Sequence, residues 1–318
     1  MLIPKFWAEA SKKLINSDGR QATLRRYGWS MTDQADAQKV ANERLEEAAI
    51  QWQSNRKLRR RERRIAYGGQ EGLPIREEVI DVQDTYTITR NCYGALCLNT
   101  PNVLIVDVDF SEDQSLKSCL ALAGLGLVGL ILSAKQLWVA AAIFGALFVI
   151  GLFVWNNLQR RLSRSDRQKK LSAIERFSQS NPDWGIRVYQ TPLGFRIIVT
   201  HRLFDPTSDE VQSLFKTLNT DRVYARMCLQ QNCFRARLTA KPWRCGVETR
   251  ISSRTWPVSA EVAVFRNKWI EQYNAQAIKY AACKFLWAKS GSTIAPEAKE
   301  VVDIHDRLTQ CELDLPLA

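Results

Sequence analysis

Residues 116–134 read LKSCLALAGLGLVGLILSA, and residues 137–155 read LWVAAAIFGALFVIGLFVW. No charged residue falls between Lys117 and Lys135, or between Lys135 and Arg160. Two long uncharged stretches limit a chain more than any motif does. A membrane span takes about 20 apolar residues at about 1.5 Å each, and both stretches come close to that. The two-residue link Lys135-Gln136 predicts an antiparallel helical hairpin. Trp138 and Trp155 bracket the second stretch as interfacial aromatic residues would. Gly124, Gly126, Gly129, Gly145 and Gly151 would let two helices approach closely in lipid.

Between Arg160 and Lys170 there are six basic residues and one acid. Basic residues near a span end mark the cytoplasmic side. A hairpin returns to the side it left, so the expectation is a two-span protein of the cytoplasmic (inner) membrane with both termini cytoplasmic. Its expected partners are the bilayer and anionic headgroups, with a homo-oligomer formed through the hairpin. The N-terminus, MLIPKFWAEASKKLINS, lacks the apolar core and cleavage site of a secretory signal and reads as a short packed helix.

The formal charge is +12, with 46% hydrophobic and 25% charged residues, a composition that folds. Such a balance points to anionic partners. A nucleotide fits better than a long nucleic acid, because an anchored domain has little surface for a duplex. The eight cysteines are scattered, and the pairs Cys92/Cys97 and Cys228/Cys233 are too loosely spaced for a zinc site, so they read as reduced buried thiols. No P-loop, Rossmann fingerprint, zincin helix or serine elbow is present.

The chain divides as follows. Residues 1–66 form an N-terminal helical region, with one amphipathic helix over 30–64 that is capped by Ser30 or Thr32 and ends in the basic run RKLRRRERR. Residues 67–110 are β-rich, 115–156 hold the membrane hairpin, 157–257 complete an α+β domain, and 258–318 are helical. The strand candidates are EEVIDV, TYTITR, GALCLN, VLIVDVDF, WGIRVY, FRIIVTH and CFRARLT; helices are expected over 167–180 and 209–219, the latter capped by Ser208. From Val103 onward the order is β, hairpin, α, β, β, α, β. That is the ferredoxin-like βαββαβ pattern, here a cytoplasmic domain interrupted by a transmembrane hairpin and flanked by helices.

VLIVDVDF sets Asp107 and Asp109 in an otherwise apolar strand. Alternation puts Val103, Ile105, Asp107 and Asp109 on one face, expected to be open, and Leu104, Val106, Val108 and Phe110 on the face under the helices. Two carboxylates at i and i+2 can share Mg²⁺ or Mn²⁺. Arg196, Arg235, Arg237, Lys241 and Arg244 are the candidate phosphate contacts. The other reading is a structural Asp–Arg network without chemistry. His305, between Asp303 and Asp306, reads as a helix-surface hydrogen bonder.

The D-x-D strand VDVD (106–109) and the hairpin QTPLGFRIIVTH (190–201), on a βαββαβ core, resemble the archaeo-eukaryotic primase (primase–polymerase) superfamily. The resemblance implies Asp107 and Asp109 as metal ligands and catalytic acids, and His201 as a catalytic residue at nucleotide phosphate. The family's third acid has only Glu248 as a counterpart. More loosely, YGA, DVDF, FDP and RARLT-x-KPWRC resemble elements of uncharacterised bacterial two-span membrane proteins. The resemblance would make the domain a metal-dependent nucleotidyl or phosphoryl transferase. The alternative is a non-enzymatic, membrane-tethered interaction or assembly module.

Overall fold

The computed structural model describes residues 1–62, 73–110, 138–253, 255–291 and 293–318. It forms two compact units: Met1–Asp107 with Asn181–Ala318, and Val108–Ser180.

The first unit opens with an antiparallel hairpin, where a short helix was expected. β1 (Phe6–Ile15) pairs with β2 (Gln21–Ser30), from Phe6↔Ser30 to Ile15↔Gln21. The reason lies in β2, where side chains alternate. Ala22 and Leu24 face one way, while Tyr27 and Trp29 cluster with Trp7 and Leu73. Across the first face lies α1 (Gln34–Gln53), shorter than the helix expected over 30–64. Its cap is Asp33, whose carboxylate accepts from the Asp36 N–H at 2.7 Å. Ala37, Ala41, Leu45, Ala48, Ala49 and Trp52 pack onto Ala8, Ala10, Ala22 and Leu24. The crossing is close at Gly28, where a Cβ would lie 2.1 Å from the Ala37 carbonyl oxygen and 2.2 Å from the Ala41 nitrogen.

The basic run after α1 is held by its one acid. Glu62 is buried; it accepts from the Tyr27 N–H at 2.8 Å and from Arg44 Nη2 at 2.7 Å. The Arg25 N–H donates to the Arg60 carbonyl at 2.9 Å, so residues 60–62 lie along β2.

Two four-stranded sheets follow. One is ordered β3 (Glu78–Val82), β4 (Thr87–Arg90), β5 (Leu96–Thr100), β9 (Phe234–Arg237), antiparallel throughout. The other is ordered β10 (Lys284–Lys289), β7 (Ile186–Thr191), β8 (Gly194–Val199), β6 (Ile105–Asp109).

The order β6-β8-β7 is the one a ferredoxin-like sheet requires, but its fourth strand is elsewhere: β9 pairs with β5 instead of lying beside β6. The free edge of β6 shows why. The Ile105 carbonyl accepts from the Tyr224 hydroxyl at 2.8 Å, and the Asp107 carbonyl from the Asp221 N–H at 3.0 Å. Both donors belong to the start of a helix, Arg222–Gln231, whose cap is Asp221. Its backbone and tyrosine occupy the hydrogen-bonding edge that β9 would have used.

The helix Asp209–Thr217 is capped by Ser208 as expected, with Oγ accepting from the Val211 N–H at 3.3 Å. In the expected all-helical C-terminal region, the helices Ala260–Ala277 and Pro296–Thr309 flank β10, a strand that the sequence reading missed.

The second unit contains the helix Trp138–Ser180. The expected first span, 116–134, lies outside the described residues, and so does the link at 135–136. Among the described residues no helix is long and apolar enough to cross a membrane. This corrects the transmembrane hairpin, the inner-membrane location and the membrane-tethered reading. The apolar part of the helix, Trp138–Trp155, covers about 27 Å at 1.5 Å per residue, short of a hydrocarbon core of about 30 Å. The same helix then runs on into charged sequence from Arg160. Along it, Lys170 pairs with Asp166 at 3.1 Å and also donates to the Asp109 carbonyl.

Candidate functional site

The face of β6 expected to be open is closed over its first part and reaches solvent toward Asp109. Val103 and Ile105 are as fully buried as Leu104 and Val106. Asp107 stands beside β8, in which every residue from Gly194 to Val199 is buried. Among those residues is Arg196, which turns its guanidinium onto Asp107. Nε donates to Oδ1 at 2.9 Å and Nη2 to Oδ2 at 3.2 Å. This two-point pair suits a planar fork and a carboxylate. The Arg196 side chain is 4% exposed and that of Asp107 24%. Burial disfavours the charged guanidinium, but the charge and hydrogen bonds of Asp107 outweigh it and hold the Arg196 pKa above its ordinary value.

Asp107 therefore spends both carboxylate oxygens on Arg196. Asp109 is exposed. No group of three His, Cys, Asp or Glu side chains suited to a metal ion occurs among the described residues. This donor set does not fit the Mg²⁺ or Mn²⁺ site that the primase resemblance implies.

His201 follows β8 and packs in an aromatic group. Its ring centre is 4.6 Å from that of Trp184 and 5.7 Å from that of Phe204. Burial, and then the charge of Arg202, lower its pKa. It belongs to packing at the end of the sheet.

The candidate phosphate contacts separate into two groups. Arg196 and Arg235 are committed inside the protein; Arg235 pairs with Glu77 at 2.5 Å with both side chains 13% exposed. Arg237, Lys241 and Arg244 fall together. Arg237 lies on β9 opposite Cys97. It forms no ion pair within 4.0 Å among the described residues, and the guanidinium's hydrogen bond to the Thr239 carbonyl is long at 3.4 Å. Burial, and then the neighbouring charges of Arg196 and Arg244, push its pKa down. Arg244 closes the short 3₁₀ turn Pro242–Arg244, which Lys241 precedes.

Beside that turn lies a pocket of about 470 Å³, lined by Cys92, Tyr93, Pro242, Trp243 and residues 247–251. The Tyr93 and Trp243 rings meet edge to face at 5.3 Å, and Lys241 Nζ lies 5.5 Å from the Trp243 ring centre. Glu248, the nearest counterpart of the missing third acid, lines this pocket and is remote in sequence from Asp107. Sequence reasoning missed Tyr93 and Trp243. The available signal was a tryptophan within the basic stretch KPWR.

Comparisons with protein-family models, curated proteins and solved structures found no match.

Proposed function

We propose that this chain binds a small phosphate-bearing ligand of the nucleotide class without transforming it. Anionic phosphate would lie against Arg237, Arg244 and Lys241, and the base against Tyr93 and Trp243. The observation that carries the reading is Arg237, a largely enclosed guanidinium with basic neighbours and no carboxylate within ion-pair distance among the described residues. A charge taken out of water without a partner is costly, and an anion arriving there would offset that cost. The adjacent pocket is of a size usual for small ligands, and aromatic faces accept any base. Asp107 takes a structural role on this reading, paired with Arg196.

The test is a Trp fluorescence titration with ATP and with inorganic pyrophosphate, supported by calorimetry. A charged hydrogen bond contributes about 1.5–3 kcal/mol, so Arg237→Met should weaken both ligands by about tenfold to a hundredfold. Trp243→Ala should weaken ATP and leave pyrophosphate unchanged. Absence of binding by the unaltered chain, or equal affinity in Arg237→Met, would sink the reading.

A further inference from the structure

Cys283, His305 and Cys311 form a group that ligand binding does not use. Cys283 immediately precedes β10, and Cys311 follows the helix Pro296–Thr309. Two backbone hydrogen bonds hold these segments side by side: the Ala282 N–H to the Thr309 carbonyl at 2.9 Å, and the Phe285 N–H to the Cys311 carbonyl at 3.0 Å. That pairing sets Cys311 beside Cys283. On its other side Cys283 Sγ is 3.9 Å from His305 Nε2. His305 Nδ1 is 2.8 Å from Asp306 Oδ1, and Arg187 Nη2 holds the second oxygen at 2.6 Å. Arg196 Nη1 approaches His305 Nε2 at 3.4 Å, and the Tyr189 ring stands edge-on to the imidazole at 4.7 Å.

Asp306 holds the proton of His305 on Nδ1, which leaves Nε2 to receive the Cys283 proton. Burial opposes a thiolate at Cys283, but the hydrogen bond from Cys311, the His305 charge and the Arg196 charge outweigh it and draw that thiol below its ordinary range. Burial likewise opposes charge on His305, and Cys283 and Asp306 outweigh it, so the imidazole is raised. Cys311 is raised and stays protonated. Burial pushes Cys228 up, Cys233 up to about 11, and Cys245 up. A thiolate with a paired imidazolium beside a second, protonated thiol is the arrangement of an attacking and a resolving sulfur.

We propose that Cys283 and Cys311 are a peroxide-reactive dithiol in which Cys283 attacks and Cys311 resolves. The Cys283 thiolate attacks one oxygen of a hydroperoxide. The S–O bond forms, the O–O bond breaks, and the leaving oxygen takes the proton of His305 and departs as water or an alcohol. The Cys311 sulfur then attacks the Cys283 sulfenic acid. The S–S bond forms and the S–O bond breaks, and the leaving hydroxide takes the Cys311 proton and departs as water. The sulfur pair is oxidised by two electrons and the peroxide is reduced by two. Both thiols are buried, but Cys311 adjoins the exposed residues Glu312, Leu313 and Asp314, and hydrogen peroxide is small enough to enter beneath that turn.

The experiment treats the full chain with hydrogen peroxide at about pH 6, blocks remaining thiols and maps the peptides by mass spectrometry. The expected product joins the Cys283 and Cys311 peptides and forms at least about tenfold faster than oxidation of Cys228 or Cys245. Cys311→Ser should stop at a dimedone-trappable sulfenic acid on Cys283. His305→Gln should slow the step at about pH 6 and recover at about pH 9, where base forms the thiolate. The comparison among cysteines in the unaltered chain needs no variant, so it decides the matter even if His305→Gln does not fold. Cys283 oxidising no faster than Cys228, or a cross-link through another pair, would overturn the proposal.

Discussion

Asp107→Ala should destabilise the protein, and the size of the loss separates a structural acid from a functional one. The substitution leaves Arg196 charged in a site where its side chain is 4% exposed. It keeps the Arg237 carbonyl at 3.0 Å and the His305 contact, neither of which supplies negative charge. Breaking a buried pair by removing one partner costs about 3–5 kcal/mol. The Asp107 side chain is 24% exposed, so water can reach the gap, and the lower end, about 3 kcal/mol, is the expected figure. For a unit of this size that lowers Tm by about 6–12 °C. Asp109→Ala, on an exposed residue, should stay within about 0.5 kcal/mol. The double variant Asp107→Leu/Arg196→Met replaces the pair by apolar volume and should recover to within about 1 kcal/mol of the original, the remainder being the donor lost by the Arg237 carbonyl. Urea unfolding followed by tryptophan fluorescence and by near-ultraviolet circular dichroism measures the three variants against the original. A ligand-binding acid held without a partner would give the opposite sign, because its removal relieves strain. Unchanged or raised stability in Asp107→Ala would therefore refute the pairing argument.

Three further outcomes are expected. Gly28→Val should cost more than about 3 kcal/mol in urea, because backbone atoms of α1 fill the Cβ position, whereas Gly19→Ala, with open space and φ +71°, should cost about 1 kcal/mol. Glu62→Ala should cost about 3 kcal/mol, leaving Arg26 and Arg44 without their carboxylate, and should speed hydrogen exchange in β1, β2 and α1 ahead of the two four-stranded sheets. The two histidines should titrate on opposite sides of the ordinary histidine value in an NMR pH series, His201 below and His305 above, assigned with His201→Asn. The signs oppose. The raised His305 contributes stability that is complete below the unfolded pKa and lost as pH rises through its folded pKa. The lowered His201 contributes stability that is complete above the unfolded pKa and lost as pH falls below it. Two coincident titrations would refute both environments.

Pattern carried the seven central strands, which are apolar runs or β-branched and alternating stretches bounded by turn residues. It failed for β1, where AEASKK mixes alanine with charge and gives no clear alternation until β2 is laid beside it. It failed for β10 as well, where KFLWAK is only partly buried at most positions and could lie on a helix equally well. The ferredoxin order was legible for three strands. What the element string could not contain was the Tyr224 hydroxyl and Asp221 N–H closing the edge of β6, because those contacts belong to tertiary structure. Asp107 was legible as unusual, and Arg196 was legible too, as the single charge in FRIIV. Their pairing followed from both being ionic residues on apolar strands. The Cys283–His305 contact had no sequence signal, since the residues are 22 apart and on different elements.

The positive charge illustrates where composition misleads. A surplus of +12 suggested anionic partners, yet Arg26, Arg90, Arg196 and Arg266 are buried, and several share an acid. Glu62 serves both Arg26 and Arg44, and Glu78 serves both Arg90 and Arg266. Asp306 serves Arg187 and His305 together. In each case one carboxylate holds two cationic side chains, and a carbonyl oxygen can take a further donor, as Ser253 does for Arg266 at 3.0 Å. A guanidinium has five donors in a fixed fork, so it can bridge a carboxylate and a carbonyl at once. Part of the surplus is thus a consequence of how the sheets and helices are joined. The argument for an anionic ligand rests only on the basic groups outside such sharing, and Arg237 is the one whose geometry carries it.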